Sequence, residues 1–163
     1  MLAVDTNVIV RYLTRDDPEQ FARASALIGG DDIYVCTTVL LETEWVLRRA
    51  YRFSRERISA ALTAFAGLPR VTLEDPIGAA RTLDWMRRGM DFADALHVAK
   101  AVGCEAFVSF DQRLVAVANA VGDVEVRAPR PADETGPRVT ASRQPPRARR
   151  AGLRSAIRSS RRD

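Results

Sequence analysis

The sequence predicts an α/β fold, a three-layer arrangement in which a five-stranded parallel sheet is flanked by helices on both faces. Three observations predict it. Short apolar runs alternate with amphipathic stretches of helical period along most of the chain. Proline, glycine, serine, threonine and aspartate fall where those stretches begin and end. Strands separated by helices require right-handed crossovers, which lay successive strands parallel and cover both faces of their sheet.

The elements follow in order. Leu2, Ala3 and Val4 read as a first strand, and Val8 to Leu13 as a short helix. Pro18 opens a second helix that Gly29 and Gly30 end, as suits proline in the first turn and glycine beyond the last. Ile33 to Val35 is the second strand; Thr37 or Thr38 then caps a helix running from Val39 to Ala50. Ser54 caps the next, which runs to Gly67. Val71 to Leu73 is the third strand, and Asp75-Pro76 starts a helix that stops at Gly89. A helix from about Asp91 to Val102 is closed by Gly103. Ala106 to Phe110 is the fourth strand, a helix from Asp111 to about Val121 follows, and Val124 to Val126 is the fifth strand. No internal repeat is visible.

The net charge of +4 is unevenly held. Residues 129–163 carry ten arginines against Asp133, Glu134 and Asp163, a net of +7, which leaves 1–128 at −3 with fifteen basic and eighteen acidic residues. Residues 1–128 therefore read as the folded domain, whose 47% apolar composition for the whole chain is ordinary. The 129–163 tail is rich in Arg, Pro and Ser, cannot offset its ordering entropy by burial, and is expected to be disordered. It is either a solvated extension or an electrostatic arm for nucleic acid. Cys36 and Cys104 have no metal or redox spacing and read as small buried side chains in a reducing compartment. No apolar run approaches the roughly 20 residues of a membrane span, and the first residues lack the basic start of a signal peptide. A cytoplasmic protein is expected.

Four carboxylates stand out. Asp5 follows the first strand and Asp111 follows the fourth, and ligands of open parallel sheets gather beyond the carboxyl ends of strands. Each would equally serve as a helix cap. On a helical wheel Glu42 falls between Trp45 and Val46 on the apolar side, whereas Glu44 points elsewhere and meets Arg48 at i+4, an ordinary solvent-face pair. Asp94 aligns with Val98 and Ala101, with Asp91 as the cap of its helix and His97 and Lys100 in another sector. Carboxylates gathered without His or Cys make a hard-oxygen site suited to Mg²⁺ or Mn²⁺. A divalent ion there relieves their mutual repulsion, activates a water and neutralises charge on a phosphodiester. The single histidine, His97, excludes a two-histidine nuclease and reads as a surface residue. No serine or cysteine nucleophile elbow is present.

The ordered set Leu2-Ala3-Val4-Asp5-Thr6-Asn7-Val8, Leu41-Glu42, Asp91-Phe92-Ala93-Asp94-Ala95-Leu96 and Ser109-Phe110-Asp111 resembles the PIN domain, and within it the toxins of VapBC-type toxin–antitoxin systems. The resemblance covers residues 1 to about 128. It implies Mg²⁺-dependent endoribonuclease activity on RNA, a homodimer, and inhibition by a small antitoxin encoded alongside. By position, Asp5 and Asp94 would be the principal metal ligands. Glu42 would complete the shell or act through water, and Asp111 would bind a second ion or orient the attacking water. Thr6, Asn7 and Ser109 would be polar neighbours of the metal or simply turn and cap residues. Arg11, Arg15, Arg87 and Arg88 are candidate phosphate contacts or an exposed charged face. The tail departs from the family, whose toxins usually end soon after the last strand.

Two other functions compete. A haloacid-dehalogenase-like phosphatase also starts from an Asp after strand one, but it needs a second Asp where Asn7 stands and a catalytic Lys, and Lys100 lies on the wrong side of its helix. A receiver domain lacks its acidic pair around Asp5. A non-catalytic RNA-binding PIN-like module would have no need of four acids. The tail arginines beyond Arg143 would either quiet the acidic pocket in cis or hold RNA, and the segment from Phe53 to Leu68 is the expected dimer interface.

Overall fold

Side-chain caps fix where the helices of the computed structural model begin; it describes residues 1–131. Asp5, Asp17, Ser54, Asp75, Asp91 and Asp111 each accept a backbone N–H of the helix they precede, and Pro18 and Pro76 occupy first turns where no donor is needed. The order is β1 (Leu2–Ala3), α1 (Thr6–Thr14), α2 (Pro18–Gly30), β2 (Ile33–Val35), α3 (Thr37–Arg49), α4 (Arg55–Ala66), β3 (Val71–Leu73), α5 (Pro76–Arg87), α6 (Phe92–Lys100), β4 (Phe107–Val108), α7 (Gln112–Val121) and β5 (Val126–Arg127). Met1–Pro129 close into one unit.

The expected alternation is present, with three local differences. Cys36, not a threonine, stands at the start of α3 and makes no side-chain cap. Thr37 is already helical, and its N–H donates to Glu74 Oε2 at 2.7 Å. α6 ends at Lys100 with Ala101 as its cap, and Gly103 follows in the left-handed region (φ 95°). Gly89 (φ 116°) does turn the chain between α5 and α6, a backbone conformation that favours glycine.

All strand pairings are parallel, but the single five-stranded sheet is corrected to two pieces: β1-β2-β3 and β4-β5. β1 and β4 are two residues each, and their ladder bonds run towards β2 and β5 respectively. Leu2 N–H donates to Asp32 O and Val4 N–H to Tyr34 O, while Phe107 N–H donates to Glu125 O and Ser109 N–H to Arg127 O.

Two apolar clusters match the two sheet pieces. Val4, Ile33, Val35 and Leu73 meet Ile9, Leu40, Leu47, Ile58, Leu62, Phe65 and Leu83 in one. Trp85, Met90, Leu114, Ala118 and Val126 form the other. α6 serves both: Phe92 and Leu96 enter the first, while Ala95, Val98 and Ala99 enter the second. What remains of α6 carries Asp94 and His97.

One further expectation, the burial of the cysteines, is revised. Cys104 is exposed in the turn after α6 and Cys36 is half-buried; both are free thiols. In the Phe53–Leu68 segment, Ile58, Leu62 and Phe65 of α4 fill the chain's own core, and Ala60, Thr63 and Ala64 face outward. Among the described residues no helix is long and apolar enough to cross a membrane. The basic tail lies outside the described residues beyond Pro131.

Candidate active site

Asp5 leaves the end of β1 and caps α1, its Oδ1 accepting from Val8 N–H at 3.2 Å. Asp111 leaves the end of β4 region and caps α7, its Oδ1 accepting from Arg113 N–H at 2.8 Å and Leu114 N–H at 3.0 Å. Capping and ligand binding are the two roles open to these residues. They are compatible, because among the described residues each cap engages Oδ1 alone and both aspartates are exposed.

Glu42 lies on the outward side of α3, and the hydroxyl of buried Thr6 donates to its Oε2 at 2.6 Å. This bond joins the end of β1 to α3 and sets Glu42 beside the residue that follows Asp5. The expected contrast between the two α3 glutamates is reversed in burial. Leu40, Thr43, Glu44 and Leu47 are the buried i, i+3, i+4, i+7 stripe, while Trp45 is 54% exposed. Glu44 is only 1% exposed and accepts from Arg48 Nε at 2.8 Å; burial raises its carboxyl above the ordinary range despite that partner. Glu42 is thus the free acid and Glu44 the structural one.

Asp94 sits in the first turn of α6, behind the cap Asp91, whose Oδ1 accepts from Ala93 N–H at 3.0 Å. It is half-buried and, among the described residues, makes neither a hydrogen bond nor an ion pair. Burial pushes its carboxyl above the usual range; the charges of Asp91 and Asp111 push the same way, opposed by His97 and Arg113. Asp94 and Asp111 are therefore electrostatic neighbours, as the packing of α6 on α7 requires. α1 packs on α3 and α3 on α6, so the elements bearing the four acids touch in sequence. Other acids have partners: Asp75 meets Lys100 Nζ at 2.9 Å, and Asp16 accepts from Tyr51 and Thr14 and pairs with Arg11.

The sequence matches the PIN domain family over residues 2–120. The chain belongs to that family. PIN domains are generally metal-dependent nucleases, so the fold is of nuclease type. No curated protein matches the sequence.

The PIN-domain residues here offer oxygen donors without histidine or cysteine, the chemistry of a hard divalent cation. Among the described residues no three acidic, histidine or cysteine side chains converge on a ready-made metal cage. Mg²⁺ does not ask for one, since it is commonly held by one or two carboxylates with waters and substrate phosphates completing the shell. A half-buried, unpartnered Asp94 repelled by Asp111 fits such an ion.

The polar neighbours divide. Thr6 holds Glu42, and Ser109 Oγ accepts from Asp111 N–H at 3.0 Å. Asn7 instead lines an open groove of about 540 Å³ between α1 and α2 with Val8, Arg11, Arg23 and Leu27. The arginines suggested for phosphate are engaged elsewhere. Arg11 serves Asp16, Gln20 and Tyr51, Arg15 lies 5.0 Å from the Phe21 ring, and Arg87 and Arg88 pair with Asp84. The cations that do bear on Asp94 are His97 and Arg113. Sequence reasoning missed both, although His97 is i+3 from Asp94 and therefore on an adjoining face.

Proposed function

We propose that this PIN domain is a Mg²⁺-dependent endoribonuclease, Mn²⁺ serving in its place, and the toxin of a type II toxin–antitoxin pair. The observation that carries the reading is Asp94, a half-buried carboxylate with no hydrogen bond or ion pair among the described residues, raised by burial and by the charges of Asp91 and Asp111. Such a group is costly unless a cation completes it. Asp5 and Asp94 would hold the ion, Glu42 would complete its shell directly or through water, and Asp111 would hold a second ion or orient the attacking water. When bound, the ion supplies charge neutralisation at the phosphodiester and a water of lowered pKa. The Thr6 hydroxyl would hold one oxygen of the exposed Glu42 carboxylate in place. Ser109 fixes the backbone of Asp111 while the Asp111 cap leaves Oδ2 for the site.

The toxin assignment, the cytoplasmic location, the homodimer and the small antitoxin partner rest on the resemblance of the four motifs to VapBC toxins. The Lys100–Asp75 ion pair disfavours the phosphatase alternative, whose catalytic lysine would have to face the acids. Incubating the purified chain with cellular RNA and Mg²⁺ or Mn²⁺ tests the reading. Cleavage should vanish with excess chelator and return with metal, and Asp5→Asn should be inactive. Cleavage that survives both chelator and Asp5→Asn contradicts metal catalysis. An intact fold that binds RNA without ever cutting it favours the non-catalytic module.

A further inference from the structure

Arg55 is the first residue of α4, directly behind the cap Ser54. A cation there gains nothing from its own helix, whose amino end carries the positive half of the dipole. The half-buried side chain reaches instead to the opposite kind of helix end. Its Nη1 donates to Met86 O and to Met90 O, each at 3.1 Å. Met86 lies in the last turn of α5, and Met90 is the residue before Asp91, the cap of α6. Capping α5 would need the first carbonyl only; the second belongs to the lead-in of α6. One nitrogen thus bridges both sides of the α5–α6 turn, across Gly89, whose left-handed backbone (φ 116°) is the most permissive link between them. The two apolar clusters meet at the same turn, Met86 entering the first and Met90 the second.

Asp94 stands four residues beyond Met90, in the first turn of α6, so its approach to the other acids is set where α6 leaves this turn. Glu42 has Thr6 to hold it, and Asp111 has Ser109 and its own cap, whereas Asp94 makes no bond among the described residues. Its place depends on its helix alone. Electrostatics agrees with the geometry: burial raises the Glu44 carboxyl most, Arg48 opposes it, Asp91 raises it further and Arg55 lowers it, so Arg55 and Asp91 lie near one buried acid. We propose that Arg55 is a positioning residue for the metal site. By tying Met86 O to Met90 O it fixes where α6 presents Asp94, and thereby how tightly the carboxylates take a divalent ion. This rests on the reading of Asp94 as a metal ligand and adds a residue on which that ligand depends.

The test is a titration of the full chain, free of RNA, with Mn²⁺ alone, read by the loss of the free-ion electron paramagnetic resonance signal. Arg55→Met should weaken Mn²⁺ binding roughly 10- to 100-fold, the range that outer-shell partners of a metal give. Arg55→Lys keeps the charge and a donor at the same helix end and should recover most of the loss. Ile58→Val, a core change in the same helix, lowers the melting temperature and should bind Mn²⁺ as the wild type does. In RNA cleavage, the Mg²⁺ concentration for half-maximal rate should rise in Arg55→Met by the same factor, with KM for RNA unmoved. Wild-type Mn²⁺ affinity in Arg55→Met overturns the proposal. So does an equal loss in Ile58→Val, which marks a merely structural role. Should Arg55→Met fail to fold, Arg55→Gln replaces it, and wild-type affinity there overturns the proposal in the same way. Arg55-dependent Mn²⁺ binding in a chain that never cuts RNA leaves this proposal standing and sinks the nuclease reading. Metal-dependent cleavage with unchanged Mn²⁺ affinity in the Arg55 variants does the reverse, and a wild-type chain that binds no Mn²⁺ overturns both.

Discussion

The Thr6 hydroxyl donates to Glu42 Oε2 at 2.6 Å, joining residues 36 apart in sequence across the boundary between the end of β1 and α3. Thr6 is buried and Glu42 exposed, so the bond restrains an acid that water would otherwise leave free to rotate. Thr6→Val preserves shape and removes the donor. We expect RNA cleavage to fall about 10-fold, with stability changing by about 1 kcal/mol or less because Glu42 remains solvated. Thr6→Ser should recover most of the rate. A structural role alone would lower the melting temperature without this rescue pattern.

Asp94 gives a pH dependence with a definite sign. Its folded carboxyl titrates above the ordinary range, so the native state holds this proton more tightly than the unfolded chain. The metal-free protein should therefore lose stability as pH rises from about 4 through that raised value. Asp94→Asn should flatten this part of the curve and raise the melting temperature in chelator while destroying activity. Thermal melts of the two proteins across pH check it; identical slopes count against the repulsion.

Glu44 and Arg48 form the buried counterpart of the free site. Arg48→Met strands a carboxylate that is 1% exposed and should cost about 2 to 3 kcal/mol in urea unfolding. The double change Glu44→Leu with Arg48→Met should return most of that loss, since an apolar pair of similar volume suits the stripe with Leu40 and Leu47. Neither should change metal affinity.

Arg113 bears on Asp94 and has no ion pair among the described residues. Arg113→Ala should raise KM for RNA, leave the metal requirement unchanged, and reduce the slope of log affinity against log salt by about one. A loss of kcat with KM and salt slope unaltered would place Arg113 outside the phosphate path.

Much of this architecture is legible in the residues themselves. Asp17-Pro18, Ser54 and Asp75-Pro76 announce helix starts because a cap or a missing donor is a local property. The division of the sheet is not local. Strands of two or three residues carry too few side chains to say which edge bonds to which, and β1 and β4 read the same whether joined or apart. On the α3 wheel Trp45 and Val46 suggest an apolar stripe on their own side, whereas the core takes Leu40, Thr43, Glu44 and Leu47. Glu42 is the exposed acid of α3 and is held by Thr6, while the burial belongs to Glu44. The influence of Arg113 on Asp94 depends on the packing of α6 on α7, which no spacing in the sequence reveals.

The central claim is that these carboxylates hold a divalent ion that cuts RNA. Its most direct test is the rate of RNA cleavage against added Mg²⁺ for the wild-type chain and for Asp94→Asn, both shown to be folded by circular dichroism. The wild type should show a saturable metal dependence that chelator abolishes. Asp94→Asn should be slower by roughly 100-fold or more, beyond the loss that outer-shell partners of a metal give. Equal rates in the two proteins, or a wild-type rate indifferent to metal and chelator, would contradict it.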